Sequence, residues 1–583
     1  YAKAAASDVD VIIVTQPQFD RMASRPETVS AYVNSRVDEL RDAIEEEQAK
    51  QVGRFKSLTQ KRLESMLRKL EARLAEATSK VSGRQDNATW FDDIGVDFLM
   101  VDEAHAYKKA PIVSRLTDIK GLPTDASARA INLSMKVEQI QARSGGKGLV
   151  LASGTPITNS LAEAYVLMKL VAPKVLDEYG INNADAFVHT FARVVTETEF
   201  TYAGDFDMVS RLKKFTNGRA LVNMIRSAFD VRMGNKELGL HVPEYKGDGP
   251  EIVAVPQSAT LDQINDWIRD VAHAFEHGLE GVMEMDQYGN ERPAKIIYSW
   301  VPIQLYQAGV TAAIDARMFD PSAPDDPDSK ANRAVRDVLS IYRESAKKKG
   351  VQLVFLDRFS ESDYSRLQGF AEMYGPGALR LADRSADTAS VVFGSSGAAL
   401  AAGAAPVEPV AGGEPESEVD AQEAAARADE AAYRSARFNL YQDIKRKLVA
   451  GGVPEHEVAI IHDYVGDKRR AELFDKVNAG DVRILMGSTA LVGTGVNVQE
   501  RVVWMHHIDP PRDFTPAGYE QREGRGIRQG NIFIQKTLRG GKPNPDYDPG
   551  FRMGATLYGA ERSMDLAVWG LILGKARFTR QAL

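Results

Sequence analysis

Residues 95–109, GVDFLMVDEAHAYKK, constrain the fold of this chain more than any other stretch. A short apolar run, too brief for a helix, ends abruptly at Asp102 and Glu103. This pattern is typical of a buried parallel strand that delivers acids to the carboxyl edge of its sheet, where open α/β sheets bind ligands. Adjacent carboxylates suit phosphoryl transfer, because one can hold Mg²⁺ through its water shell while the other orients or deprotonates a water. The alternative is a strand that runs into a solvated acidic turn.

The composition of the 583 residues is that of an ordinary globular protein, with 44% hydrophobic and 26% charged residues. This length allows roughly two to four domains. No apolar run approaches the roughly 18 residues of a membrane span, so we expect no membrane partner. The chain has no cysteine, which excludes disulfides and thiolate metal sites and agrees with a cytoplasmic location. Because the net charge is −8, any nucleic-acid contact must come from local grooves.

The first part of the chain predicts further elements of an α/β unit. Residues 10–15 read as a second buried strand, ended by Gln16 and Pro17. Over residues 27–85, apolar side chains repeat at spacings of four and three residues, which predicts an antiparallel helical hairpin inserted into this unit. A probe that touches DNA or a partner is the alternative. Residues 148–152 predict a third strand, followed by hydroxyls at Ser153 and Thr155 that could relay hydrogen bonds from a phosphate site or simply cap a turn.

The middle and the end of the chain are organised differently. Residues 173–328 hold a basic and aromatic cluster at 213–226, which is either a nucleic-acid groove or a solvated helix face. Strand and helix patterns alternate again over 329–583 and predict a second parallel sheet, with a final helix at about 561–581. Within it, about 385–432 are rich in Ala, Gly, Pro, Ser and Glu, and we expect this insertion to be disordered.

Two more motifs lie in this second unit. A glycine-rich loop at 487–499 follows a predicted strand, although glycine alone is a weak signal. Residues 521–531, QREGRGIRQGN, hold three arginines within seven residues. Arg525 and Arg528 are three apart, so on one helical turn they share a face and can grip the charge of a transferring phosphoryl group. A basic surface turn is the alternative.

In order and spacing these motifs resemble motifs II, III, V and VI of superfamily 2 helicases, most closely the Swi2/Snf2-like branch. The matching stretches are DEAH at 102–105, SGTP at 153–156, the loop at 487–499 and QREGRGIR at 521–528. More narrowly, 98–108, 522–531 and the ending around 563–578 resemble the helicase half of large phage- and plasmid-borne methyltransferase–helicase proteins, some of them associated with anti-restriction. The resemblance covers roughly 90–172 and 330–583 well.

This resemblance implies an α/β fold with two RecA-like parallel-sheet lobes. Residues 1–172 would form a partial first lobe, 173–328 a helical connecting region and 329–583 the second lobe. The implied function is an ATP-dependent motor, a helicase or more specifically a double-stranded DNA translocase, with ATP and Mg²⁺ as cofactors. DNA or RNA would be its track, in the cytoplasm of a bacterial or phage-infected cell or in a virion.

The resemblance also implies individual roles. Asp102 would hold Mg²⁺ through water, Glu103 would activate water, and His105 would couple the site to its surroundings. Ser153 and Thr155 would link hydrolysis to movement. Other residues would contact nucleotide or nucleic acid (Thr15, Ser488, Thr489, Gly493, Gly495 and Asn497) or close on the phosphates from the second lobe (Gln521, Arg525 and Arg528).

One motif of these helicases, the phosphate loop G-x-x-x-x-G-K-[ST], does not occur in this sequence. We therefore expect the 583 residues to be part of a longer gene product, or half of a split enzyme, with a missing N-terminal segment or a partner chain supplying the loop. This chain alone should hydrolyse ATP weakly. The alternative function is a non-catalytic DNA-binding or scaffold module that retains the fold, although intact Glu103, Arg525 and Arg528 argue against decay.

Overall fold

The structure is a computed structural model of the chain. The described residues are 9–49, 59–61, 63–68, 71, 90–108, 110, 112–116, 119–120, 127–153, 162–181, 183–200, 206–229, 238–277, 283–285, 291–293, 301–320, 323–359, 438–492, 497–512, 514–537 and 540–582. The expected disordered insertion at about 385–432 lies outside them. No helix in the described ranges is both long and apolar enough to cross a bilayer.

Helices and strands alternate along much of the chain. The helices are α1 (Gln16–Arg21), α2 (Pro26–Ala49), α3 (Phe91–Ile94), α4 (Ala128–Ser144), α5 (Ala162–Val171), α6 (Pro173–Glu178), α7 (Ala184–Phe191), α8 (Gly218–Ala228), α9 (Ala259–His277), α10 (Val301–Ile314), α11 (Lys330–Glu344), α12 (Leu440–Ala450), α13 (Asp467–Ala479), α14 (Thr489–Val492), α15 (Pro516–Gly526) and α16 (Met564–Ala582). The strands are β1 (Leu99–Val101), β2 (Ile119–Lys120), β3 (Leu149–Leu151), β4 (Ala192–Phe200), β5 (Phe206–Phe215), β6 (Glu251–Val255), β7 (Met283–Met285), β8 (Glu291–Pro293), β9 (Val351–Phe355), β10 (Val458–Ile460), β11 (Ile484–Gly487), β12 (Val502–His507) and β13 (Gly554–Ala560).

The first unit is built on β1 and β3, which pair in parallel with Met100 opposite Val150. Helix α4 covers one side of this pair, because Leu133, Val137 and Ile140 form one apolar stripe that packs against it. The helix begins at Ser127, whose side chain accepts the N–H of Ala130, and ends at a left-handed glycine. Strand β1 thus ends at the acid pair, as the sequence predicts, but the prediction that this strand is buried is wrong, because Met100 is 72% exposed.

The prediction of a buried strand at 10–15 is wrong. These residues have no regular secondary structure and pair with no strand in the described part of the chain, and the side chains of Val11 and Ile13 are 77% and 94% exposed. An apolar run becomes a strand only when a neighbour takes up its backbone hydrogen bonds. Thr15 ends the run by capping α1, in a capping box with Gln18.

The predicted helical pair is present in the described residues. Helix α2 buries Val33, Val37 and Leu40 along one face, and residues 59–61 and 63–68 are also helical. The side chain of Leu63 is fully buried against α2. That the pair is an insertion into a lobe stays a prediction.

The expected helical connection at 173–328 needs correction. It contains strands as well as helices: β4 and β5 form an antiparallel hairpin beside β2, β7 pairs with β8, and β6 joins the large sheet. Its helices α6 to α8 share a core with α5 of the first unit, while α9 and α10 pack beside β6 and β13. The region is therefore divided between two cores, because composition along the chain does not show which sheet a segment joins.

The second unit is a six-stranded parallel sheet in the order β10-β11-β9-β12-β13-β6. Apolar cores cover both faces, and every residue of the central strand β9 is buried, including Gln352, whose side-chain amide donates to the carbonyl of Val338 at 3.0 Å. Strands β9 to β12 lie in the part of the chain, 329–583, where the sequence predicts strands alternating with helices in a second parallel sheet. The final helix α16 is held at its start by a buried pair between Lys330 and Asp565.

Candidate functional site: two charged strand edges

The acid pair lies immediately after β1, at the carboxyl edge of the first sheet. Both side chains are exposed, and Asp102 Oδ1 accepts the N–H of Glu103 at 2.9 Å. Glu103 has a φ of 51°, a left-handed conformation that costs a residue other than glycine on the order of 1 kcal/mol or more. This turn directs the chain into a buried 3₁₀ turn at Ala104–Tyr107, which carries His105.

His105 joins the acid pair to the end of the neighbouring strand. Its Nδ1 lies 3.1 Å from Glu103 Oε2 and 3.3 Å from Ser153 Oγ. Because a carboxylate only accepts, this nitrogen carries the proton toward Glu103. The hydrogen bond lowers the pKa of Glu103 below its ordinary value of 4.5, against the opposing effect of partial burial. Glu103 is therefore ionised at neutral pH, the state that a general base requires.

Strand pairing explains why His105 meets Ser153. The N–H of Ala104 donates to the carbonyl of Ala152 at 2.8 Å, which continues the β1–β3 ladder beyond Val101. Residues 102–105 and 152–153 therefore share one edge. Thr155, expected beside Ser153, lies outside the described residues.

Gln16, which was not among the predicted site residues, is hydrogen-bonded to the backbone of the acid pair. Gln16 Nε2 donates to the carbonyl of Asp102 at 2.7 Å, and Gln16 Oε1 accepts from Arg129 at 3.0 Å. Arg129 is fully buried, pairs with Asp20 and lies over the Tyr107 ring. Thr15 therefore adjoins the acid pair through its neighbour Gln16. The only feature of the sequence that marked Gln16 was its place before Pro17, at the end of the apolar run 10–15.

The second charged edge follows the central strands of the large sheet. Asp357 follows β9, Ser488 and Thr489 follow β11, and Asp509 follows β12. Asp357 and Asp509 are buried. Ser488 is also buried, and its hydroxyl has no hydrogen-bond partner among the described residues.

Arg522 occupies the centre of this edge. Its side chain is fully buried, and its Nε donates to Thr489 Oγ1 at 2.6 Å. Nη1 donates to the carbonyl of Asp509 at 2.7 Å, and Nη2 lies 3.0 Å from Asp357 Oδ2. Its neighbours Arg525 and Arg528 were among the predicted site residues, whereas Arg522 was not. The available signal was helical phase, because Arg522 shares a spacing of three and four residues with the buried Tyr519 and Gly526.

Gln521, Arg525 and Arg528 are half-buried near the end of the same helix. The prediction that both arginines lie on one helical turn needs correction, since α15 ends at Gly526 and Arg528 lies beyond it. The two remain close: burial and the charge of Arg528 lower the pKa of Arg525 to about 10. The Arg525 guanidinium therefore remains charged at neutral pH.

The remaining predicted contacts divide into two groups. Gly493 and Gly495 lie outside the described residues. Asn497 is exposed, and its carbonyl accepts the side-chain amide of Asn478 at 2.8 Å.

Within the described ranges, no three His, Asp or Glu side chains cluster as a self-sufficient metal site. The exposed carboxylates at 102–103 fit Mg²⁺, which typically takes one or two carboxylates together with water and phosphate oxygens.

Comparisons with known proteins follow the same division of the chain. Residues 1–233 match a family described as "Probable helicase domain", and residues 434–530 match the "Helicase conserved C-terminal domain" family. The chain is 28% identical over 218 residues to the defense against restriction protein B of Escherichia phage P1. The aligned part is 37% of this chain and 9% of that protein, so this chain spans a small fraction of its relative. Among solved structures, the C-terminal part of the Fun30 ATPase domain matches at 13% identity and a TM-score of 0.25, covering 59% of this chain and 96% of that chain. This TM-score is too low to support an argument about function.

Proposed function

We propose that this chain is the motor portion of an ATP-dependent double-stranded DNA translocase, of the superfamily 2, Swi2/Snf2-like type that its motifs resemble. The observation that carries the proposal is the position of His105 between Glu103 and Ser153. It connects a candidate general base to the end of a second strand. These contacts through His105 would therefore transmit a change at the reacting phosphate from Glu103 to Ser153.

The first edge supplies the groups for hydrolysis. Asp102 would hold Mg²⁺ through its water shell, and the metal would neutralise charge on the ATP phosphates. Glu103, kept ionised by His105, would orient the attacking water and accept its proton. Its left-handed backbone holds the carboxylate at the exposed edge of the sheet.

The second edge supplies the opposing charge. Arg525 and Arg528 would close on the phosphates, where fixed guanidinium groups stabilise the charge that develops during transfer. Gln521 lies one helical turn before Arg525 and would contact the same region. Arg522 is too deeply buried for that role and holds the helix to the sheet.

DNA is the partner that we propose for these two edges. With a net charge of −8, the chain would grip the phosphate backbone locally, so binding would depend strongly on salt and weakly on sequence. The hydroxyl of Thr489 is engaged with Asp357 and Arg522 inside the protein. We therefore assign the backbone contacts to Asn497 and the glycines at 493 and 495, and to Thr15 on the first unit, whereas Ser488 is buried and is not assigned one.

The phosphate loop would come from another segment or chain, which would also cover the exposed side of β1 and β3. Met100 and Phe98 are 72% and 55% exposed there, and Val150 is exposed beside them. Large apolar side chains grouped on a sheet face are typical of a surface that another element covers. ATP binding by the isolated chain would accordingly be weak.

The test is ATP hydrolysis by the full-length gene product, measured without polynucleotide and with duplex DNA, single-stranded DNA and RNA. A motor on double-stranded DNA predicts strongest stimulation by the duplex, with an apparent affinity that falls as salt rises. The competing scaffold function predicts DNA binding with no hydrolysis on any of the three, and that result would overturn the proposal.

A further inference from the structure

Asp357 lies two residues beyond β9, between two segments that the proposed motor needs. Its Oδ1 accepts the backbone N–H of Thr489 at 2.6 Å and the Thr489 hydroxyl at 2.9 Å. Its Oδ2 accepts the N–H of Arg512 at 2.9 Å and lies 3.0 Å from Arg522 Nη2. One buried carboxylate therefore joins the residues that follow β11, the residues that follow β12, and helix α15.

Thr489 and Arg522 complete a closed ring with this carboxylate. The Thr489 hydroxyl donates its single proton to Asp357 and accepts from Arg522 Nε at 2.6 Å. Since all three groups bond to one another, a displacement of Thr489 breaks bonds to both of the others. Thr489 is the first residue of helix α14, and Arg522 lies on helix α15, which carries Arg525.

The opposite charges of Asp357 and Arg522 hold the ring together. Arg522 is fully buried and needs a counter-charge within reach. Burial opposes ionisation of Asp357, but the Arg522 charge and the N–H groups of Thr489 and Arg512 outweigh it and lower its pKa to about 2. Asp509 fixes the Asp357 backbone by accepting its N–H at 3.0 Å.

We propose that Asp357 is a positioning residue that sets the arginine-bearing helix α15 against the short helix α14, which starts at Thr489. Movement of α14 on DNA binding would then displace Arg525 and Arg528 relative to ATP, and ATP binding would in turn move α14. This inference rests on the proposed function. It adds a buried residue that belongs to none of the four motifs.

The variant Asp357→Asn keeps the shape of the side chain and removes its charge. The remaining bonds would hold Arg522 less precisely, and a displacement of about 1 Å in a catalytic group can cost on the order of 100-fold in rate. We expect kcat of the full-length gene product on duplex DNA to fall 10- to 100-fold, roughly. KM for ATP and the Kd for DNA should change by about twofold or less, since Asp357 touches neither ligand.

Asp565→Asn is the matched control. Asp565 is a fully buried carboxylate of the same unit and pairs with Lys330, but it bonds to none of the ring residues. Its loss should lower stability while kcat per folded molecule stays unchanged. Folded fraction is measured by circular dichroism and size exclusion for each variant, so a purely structural effect appears there and not in kcat.

The outcomes separate the two proposals. An active wild type whose Asp357→Asn variant is folded and has unchanged kcat would overturn this inference alone. A wild type inactive on every polynucleotide would overturn the proposed function and this inference with it. Should Asp357→Asn fail to fold, Thr489→Val decides, because it removes the hydroxyl of the ring and leaves the Asp357–Arg522 charge pair in place. A reduced kcat of Thr489→Val with unchanged KM supports the positioning role of Asp357, and an unchanged kcat overturns it.

Discussion

The Arg522 guanidinium lies 3.0 Å from the Asp357 carboxylate with both side chains withdrawn from solvent. This pair connects two of the helicase-like motifs through a residue outside both. A buried charge with a partner is tolerated, whereas one that loses its partner is costly. The pair therefore makes the second unit sensitive to single substitutions at a site that does not contact ATP.

Replacing Arg522 with methionine should destabilise the second unit. The substitution leaves Asp357 and Asp509 buried without the cation between them, which typically costs about 3–5 kcal/mol. Urea unfolding followed by circular dichroism measures the change. Arg336→Met is the control, because Arg336 pairs with Asp328, both side chains are exposed, and such pairs contribute about 1 kcal/mol or less. Equal, small effects of both variants would contradict the structural role of Arg522.

Two glycines of helix α15 should respond oppositely to alanine. A Cβ at Gly526 would lie 2.7 Å from the sulfur atoms of Met505 and Met553, so either the helix end or these two buried side chains must shift. A Cβ at Gly524 meets nothing within 4 Å, and alanine is favoured over glycine in a helix by roughly 1 kcal/mol.

We therefore expect Gly526→Ala to lower both thermal stability and kcat, and Gly524→Ala to keep kcat and raise stability slightly. Differential scanning calorimetry and ATPase assays on the same preparations check this. Identical behaviour of the two variants would show that the close approach of α15 to the sheet does not matter.

The hydrogen bond from His105 should be visible in the pH dependence of kcat/KM. It lowers the pKa of Glu103 below 4.5, so the carboxylate is ionised above that pH and activity is lost only as the pH falls through the lowered value. His105→Ala removes the bond, and the acid limb should move to higher pH. Circular dichroism at each pH verifies that the protein is folded. An acid limb that stays in place in the variant would mean that His105 does not control the ionisation of Glu103.

Lys136 should make the stability of the first unit depend on pH. Burial lowers its pKa from 10.5 to about 7, although its ammonium group donates to the carbonyl of Phe19 at 2.8 Å. Between these two pH values the unfolded chain binds the proton and the folded chain does not, so stability rises with pH across that window. Each unit of lowering corresponds to about 1.4 kcal/mol.

Lys136→Met should therefore flatten the stability curve between pH 7 and pH 10, as measured by chemical unfolding at fixed ionic strength. Lys147→Met, at an exposed position of the same unit, serves as the control and should leave the slope unchanged. A wild-type slope that persists in Lys136→Met would assign the dependence to other groups.

The fold was predictable where apolar runs are continuous. Strands β9 to β12 have apolar cores on both faces, so their sequences contain few polar residues and can be recognised as buried strands. The same criterion failed at 10–15, because an apolar run does not reveal whether a partner strand exists. It also missed β6 and β13, which join the large sheet from segments far apart in the chain.

The candidate site was predictable in part. Glu103, His105 and Ser153 were found from short motifs, and pairing of β1 with β3 brings them together. Asp357 could not be found this way, since its role depends on Arg522, which is 165 positions away in the sequence. Among three neighbouring arginines, only the orientation of α15 on the sheet decides which one is buried.

The central claim is that the acid pair and the arginines act on the same ATP. The most direct test is kcat of the full-length gene product on duplex DNA for Glu103→Gln, Arg528→Ala and the double variant. Groups that act together on one transition state have non-additive effects, so each single change should cost roughly 100-fold or more and the double change little beyond that. Losses that multiply, or a single variant that retains wild-type kcat, would contradict the claim.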